Sequence, residues 1–152
     1  MTVESRLTFD TNILIYAVDR NAGRRHDIAK QFVAKAVFAD CALTLQSLAE
    51  FFHATTRKGN LPAKEAMAFV TDWRSVFPVM AADETALNDA MEAVQDHRLS
   101  FWDALLWATA RNAGCSLLVS EDFQHGRQLG GVEFVSPFND RGREKLTAVL
   151  AQ

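Results

Sequence analysis

The 152-residue chain is sparing in the residues that break or cross-link a backbone: three prolines, seven glycines and two cysteines. No Pro/Gly-rich linker, low-complexity tract or internal repeat interrupts it, so a single domain over residues 1–152 is expected. Cys41 and Cys115 lie in separate apolar runs without C-x-x-C spacing. That excludes a zinc ribbon and points to two buried free thiols in a reducing compartment. No apolar run approaches the roughly 20 residues of a membrane span. The start, Met1-Thr2-Val3-Glu4-Ser5-Arg6, has no basic segment leading into a long apolar stretch, so neither a signal peptide nor a membrane partner is expected and the location reads as cytoplasmic. Net charge is only −3, which argues against a surface uniformly attractive to nucleic acid but leaves room for local basic patches. A G-x-G-x-x-G turn is missing after the first strand-like segment, which removes a dinucleotide-binding domain.

What is present is a large hydrophobic fraction, 49%, arranged as short apolar runs alternating with helical periodicity. Strands are expected at 6–9, 42–45, 76–79, 116–119 and 132–135. Helices are expected through 13–18, 24–38, 47–57 (stopped by Gly59), 62–75, 83–96 and 100–112 (closed by Gly114), with a last amphipathic turn or helix in 140–152. Strands alternating with helices imply an α/β fold, its sheet mostly parallel and covered on both faces.

Four acids stand where this order opens onto one edge. Asp10 ends the strand Arg6-Leu7-Thr8-Phe9, and the carboxyl end of a strand borders the crevice where open α/β sheets bind ligands. Right-handed crossovers place helix N-termini at that same edge. Ser47-Leu48-Ala49-Glu50 and Ser100-Phe101-Trp102-Asp103 both read as helix starts with an acid in the first turn. Asp122 follows the fourth strand by three residues. Taken singly, Glu50 and Asp103 read as capping acids and Asp122 as a loop acid, whereas Asp10 is costly to bury unpaired. Arg6 and Arg20 are not placed to neutralise it. Together the four would repel one another unless a cation held them. Carboxylates without histidine or cysteine suit Mg²⁺ or Mn²⁺, one ion or two, and such ions activate water against a phosphodiester.

Phe9-Asp10-Thr11-Asn12-Ile13-Leu14, Ser47-Leu48-Ala49-Glu50-Phe51, Phe101-Trp102-Asp103-Ala104-Leu105-Leu106 and Ser120-Glu121-Asp122-Phe123, in that order along the whole chain, resemble the PIN-domain family, and within it the VapC-type toxins of toxin–antitoxin pairs. Gln124-His125-Gly126 and Pro137-Phe138 add to the likeness. The resemblance implies a five-stranded parallel sheet in the order 3-2-1-4-5, which would make the four acids neighbours. It implies a metal-dependent endoribonuclease with Asp10 and Asp103 as principal metal ligands. Glu50 would bind metal directly or through water, or orient the attacking water. Asp122 would complete the pocket, and Asn12 and Ser120 would support it. Glu121 beside Asp122 leaves open which of the two faces the metal; the spacing from Ser120 favours Asp122. The resemblance further implies an RNA substrate, a cognate antitoxin lying across the groove, and a homodimer.

Other readings are weaker on the same residues. A haloacid-dehalogenase-like phosphohydrolase would use Asp10 as nucleophile, but it needs an acid two residues on, where Asn12 stands. A PIN-like fold kept only as a non-catalytic binding module would not need all four acids. Glu50-Phe51-Phe52-His53 has the di-iron Glu-x-x-His spacing once, where two copies are required. Arg24, Arg25, Arg57 and Lys58 are candidate contacts for the RNA backbone. Trp73, Trp102 and Trp107, within apolar helical stretches, read as core or dimer contacts.

Overall fold

A computed structural model describes residues 5–57 and 60–151. Its elements in chain order are β1 (Leu7–Phe9), α1 (Thr11–Val18), a 3-10 turn (Arg20–Ala22), α2 (Arg24–Ala36), β2 (Leu43–Thr44), α3 (Leu45–Arg57), α4 (Ala63–Val76), β3 (Val79–Met80), α5 (Glu84–His97), α6 (Phe101–Asn112), β4 (Leu117–Val119), β5 (Gln128–Leu129), β6 (Val132–Val135) and α7 (Asp140–Leu150). Gly59, expected to stop α3, and Lys58 lie outside the described residues.

The strands are short, and β1, β2, β4 and most of β6 are buried, as expected where helices cover both faces, whereas β3 and β5 are partly exposed. β4 pairs in parallel with β1 on one side and β6 on the other. Alternation along β4 sends Leu117 and Val119 into one core and Leu118 into the other. The first core collects Phe9 with Ile13 and Leu14 of α1, Phe32 and Val33 of α2, Leu48 and Phe51 of α3, Trp73 of α4 and Leu146 of α7. The second is filled by α5 and α6, whose buried alanines Ala86, Ala90, Ala93, Ala104 and Ala108 let the two helices pack closely. The result is a sheet between two helical layers.

Strand organisation differs from the expected five-stranded array. The main sheet has four strands in the order β1-β4-β6-β5, and β2 and β3 form a separate parallel pair. One parallel bridge, Leu7 to Cys41, joins β1 to the segment entering β2. β5 was not foreseen: it is antiparallel to β6 across Gly130-Gly131, both with positive φ as a primed hairpin turn requires. β3 begins three residues later than expected because Val76 completes α4 and Phe77 caps it.

Two helix starts were also misplaced. α1 begins directly at Thr11, since Asp10 is its N-cap. α3 begins at Leu45 and not at Ser47, so Glu50 is not a first-turn capping acid. Thr44 takes the capping role instead: its Oγ1 accepts the Ser47 N–H at 3.1 Å and donates to Ser47 Oγ at 3.0 Å. α6 starts as expected, Ser100 Oγ accepting the Asp103 N–H at 3.4 Å.

Candidate active site

β1 and β4 deliver the site's first two groups together. The parallel ladder continues past Phe9, with the Asp10 N–H donating to the Val119 carbonyl at 2.9 Å. That register sets Asp10 beside Ser120, whose hydroxyl donates to Asp10 Oδ2 at 2.7 Å. Asp10 Oδ1 accepts the Thr11 N–H at 2.7 Å, the first free donor of α1. The acid is therefore both helix cap and site carboxylate.

Neutral polar side chains spread outward from this centre. Asn12 Nδ2 donates to Ser120 Oγ at 3.2 Å and to Asp122 Oδ2 at 2.9 Å. The Asp122 N–H donates to Ser120 Oγ at 3.1 Å. On the other side, Thr11 Oγ1 donates to Glu50 Oε2 at 2.9 Å, and Gln46 Nε2 donates to Glu50 Oε1 at 3.0 Å. Asp10, Glu50 and Asp122 are thus joined through Thr11, Ser120 and Asn12. Asp103, in the first turn of α6, has no hydrogen bond to the other acids among the described residues, but it interacts with them through charge. Burial pushes its carboxyl up, the Ser100 hydroxyl opposes this, and the charges of Asp122 and Glu50 push further up.

Asp10 bears the largest strain. It is 6% exposed, and its carboxyl is pushed up from 3.8 to about 6. Desolvation is the main cause; the bonds from Ser120 and Thr11 work against it, and repulsion from Asp122 and Asp103 adds to it. A cation among these oxygens would reverse that balance.

The donor set fits a hard divalent ion: it is all oxygen, and two buried amide oxygens beside it, Asn12 Oδ1 and Gln46 Oε1, have no hydrogen-bond partner. As the side chains stand, however, no three Asp, Glu, His or Cys groups among the described residues are drawn together as a ready coordination shell. The acids are held instead by Thr11, Asn12, Gln46 and Ser120.

Glu121 is turned away from Asp122. Its carboxylate accepts from Tyr16 Oη and, at 3.0 Å, from Arg25 Nε. Arg25 is accordingly engaged in an ion pair, whereas Arg24 and Arg57 are exposed without an ion pair among the described residues. His53 is exposed as well. Of the tryptophans, Trp73 and Trp107 are core residues, but Trp102 is 62% exposed. It lines a groove with Leu45, Gln46, Ala49, Glu50 and Leu105. Sequence reasoning passed over Thr11 and Gln46. The first adjoins Asp10, and the second lies four residues before Glu50 on one helical face, a spacing that brings side chains into contact.

The PIN domain pattern matches residues 7–128. No curated protein matches the chain. Among solved structures, a toxin–antitoxin complex from Klebsiella pneumoniae is similar at 26% identity and a TM-score of 0.63, covering 88% of this chain and 98% of that one. The sarcin–ricin-loop-cleaving toxin VapC20 of Mycobacterium tuberculosis is similar at 24% identity and a TM-score of 0.60, over 74% of this chain and 86% of that one. DNA-bound VapBC from Salmonella typhimurium shares the fold at 14% identity and a TM-score of 0.63, over 87% and 98%. With the acids delivered by the ends of β1 and β4 and by α3 and α6, and with the family pattern running from β1 to β5, the chain belongs to the PIN-domain family.

Proposed function

We propose that the protein is a metal-dependent endoribonuclease and the toxin of a toxin–antitoxin pair, hydrolysing RNA phosphodiester bonds at the site formed by Asp10, Glu50, Asp103 and Asp122. The observation that carries this reading is the hydrogen-bonded chain from Glu50 through Thr11, Asp10, Ser120 and Asn12 to Asp122. It links Glu50 and Asp122, through neutral side chains, to the Asp10 carboxylate, which burial and like charge disfavour. The Klebsiella and Mycobacterium likenesses support the toxin assignment.

Bound Mg²⁺ or Mn²⁺, one ion or two, would supply charge neutralisation and an activated water. Asp10 and Asp103 are the principal ligands in this reading; Glu50 and Asp122 complete the pocket. Ser120 and Thr11 fix the Asp10 carboxylate from two directions and would hold it preoriented for an ion. Asn12 aims Asp122, and Gln46 with Thr11 aims Glu50. Trp102, beside Glu50, offers an aromatic face to an unpaired base. Arg24 and Arg57 would meet the backbone of the RNA. Lys58 lies outside the described residues.

An antitoxin and a second copy of the chain are the proposed protein partners. The stripe Leu87, Met91 and Val94, exposed at helical spacing on α5, and the exposed Leu45 of α3 and Met67 of α4 support surfaces of that kind. The strand order β3-β2-β1-β4-β6 is part of the same reading, supported by the bridge from Leu7 to Cys41. No helix among the described residues is long and apolar enough to cross a membrane.

Incubation of purified protein with structured RNA, in Mg²⁺ or Mn²⁺ and in EDTA, tests the reading. Cleavage should require metal and vanish in Asp10→Ala and Asp103→Ala. Metal-independent cleavage, or equal cleavage by Asp10→Ala, would sink it.

A further inference from the structure

Glu121 and Asp122 are adjacent after β4, yet their carboxylates diverge. Glu121 Oε1 accepts the hydroxyl of Tyr16 from α1, and Oε2 accepts Nε–H of Arg25 from α2 at 3.0 Å. The Arg25 guanidinium lies 5.0 Å from the centroid of the Phe138 ring, and Phe138 meets Tyr16 edge-on at 5.4 Å and 89°. His26, next to Arg25, holds the Tyr16 carbonyl through Nδ1 at 2.9 Å. Two helices, α1 and α2, therefore close on the Glu121 carboxylate, and Phe138 of the β6–α7 connection packs against both of the side chains they bring. An isolated exposed Arg–Glu pair does little. Here the guanidinium also rests on an aromatic face, and the hydroxyl occupies the second carboxylate oxygen.

We propose that Tyr16, Arg25 and Phe138 act as a latch on Glu121 that fixes the backbone of Asp122 and so aims its carboxylate at Asn12 and the Asp10 centre. Tyr16 and Arg25 are positioning residues in this scheme, acting through Glu121. It rests on the metal role proposed for Asp122. It also gives Arg25 a different part from the RNA contact expected of it: both roles need the guanidinium, and the ion pair already engages Nε.

The sign of one effect separates a latch from simple electrostatics. Removing the Arg25 charge near a cation site should tighten metal binding if charge alone matters, since like charges repel. Removing a latch should weaken it. Tyr16→Phe removes only the hydroxyl and keeps the ring that packs on Phe138.

Mn²⁺ binding to the full chain, without RNA, is measured by the free-Mn²⁺ electron paramagnetic resonance signal well below the melting temperature, which circular dichroism records for every variant. Outer partners of metal ligands are worth about 10–100-fold in affinity, so Asp122→Asn is expected to weaken Mn²⁺ binding about 10-fold or more, and Arg25→Met and Tyr16→Phe by about 3–10-fold. Arg20→Met removes a like charge from the exposed 3-10 turn before α2, outside the latch, and should leave affinity unchanged or slightly tighter. If Asp122→Asn weakens binding while Arg25→Met and Tyr16→Phe bind as well as the parent or better, the latch alone is overturned. If Asp122→Asn has no effect, the metal role of Asp122 falls, and the latch falls with it.

Discussion

The burial of Asp10 sets a sign that can be measured without RNA or metal. Its carboxyl titrates at about 6 in the folded chain, raised first by desolvation and then by Asp122 and Asp103, against the bonds from Ser120 and Thr11. In the unfolded chain it titrates near 3.9. Between those values the folded state binds the extra proton. The contribution of Asp10 to stability is therefore fully present below about pH 4, is lost as pH rises through about 6, and stays lost above. At about 1.4 kcal/mol per pH unit the penalty at neutral pH is about 3 kcal/mol, an upper figure for the ionised acid. Asp10→Asn removes the charge but keeps only one acceptor oxygen, so either the Thr11 or the Ser120 bond is lost, at about 1 kcal/mol. The metal-free variant should gain about 1–2 kcal/mol at pH 7.5, raising its Tm by roughly 2–8 °C. At pH 4.5 the gain should disappear or reverse, because the parent acid is then protonated when folded. Differential scanning calorimetry in EDTA at the two pH values measures both. A variant that melts below the parent by the same margin at pH 4.5 and 7.5 would refute this electrostatic account of the site.

Three further outcomes follow from packing. A Cβ at Gly142 would stand 2.0 Å from the Ser136 carbonyl oxygen and 2.9 Å from the His125 ring. Gly142→Ala should cost about 3 kcal/mol and lower the Tm by roughly 6–12 °C, and a shift under 2 °C would show that the β6–α7 connection yields freely. Phe51 is fully buried against Trp73 at 4.8 Å; Phe51→Ala should cost about 3–5 kcal/mol in urea unfolding. Burial raises the Cys115 thiol to about 11 and drives that of Cys41 still higher. Both should resist a thiol reagent at pH 8 in the native protein and react at once in urea; fast native labelling would contradict their burial.

The parts of the fold that could be read from sequence are those set by local pattern. Ser100 before Phe101-Trp102-Asp103 announced the start of α6, and the helical periodicity of 83–96 announced α5. The errors came where a neighbouring residue competed for the same role. Ser47 looked like a cap, but Thr44, at the end of β2, satisfies the helix and shifts α3 back two residues. Gln128–Leu129 carries no strand pattern of its own; it becomes a strand because Gly130-Gly131 turns it back on β6. The candidate acids were legible one by one. Their neutral intermediaries Thr11 and Gln46 were not, because a hydroxyl or amide has no signature until the fold brings a carboxylate within 3 Å. For Glu121 the spacing from Ser120 already favoured its neighbour Asp122 as the site acid, but where Glu121 itself turns became visible only with the meeting of Tyr16 and Arg25 from two helices.

The bond between Ser120 and Asp10 spans 110 positions of the chain, and so does that between Asn12 and Asp122. Synthesis proceeds at about 5–20 residues per second, so roughly 6–22 seconds separate the emergence of the two ends of each bond. For that interval Asp10 has no Ser120 hydroxyl to hold it and no β4 to pair with. A nascent or prematurely terminated chain therefore carries α1, α2 and α3 without an assembled site. If the proposed toxicity holds, the order of the sequence itself delays it until the segment carrying Ser120 and Asp122 has been made.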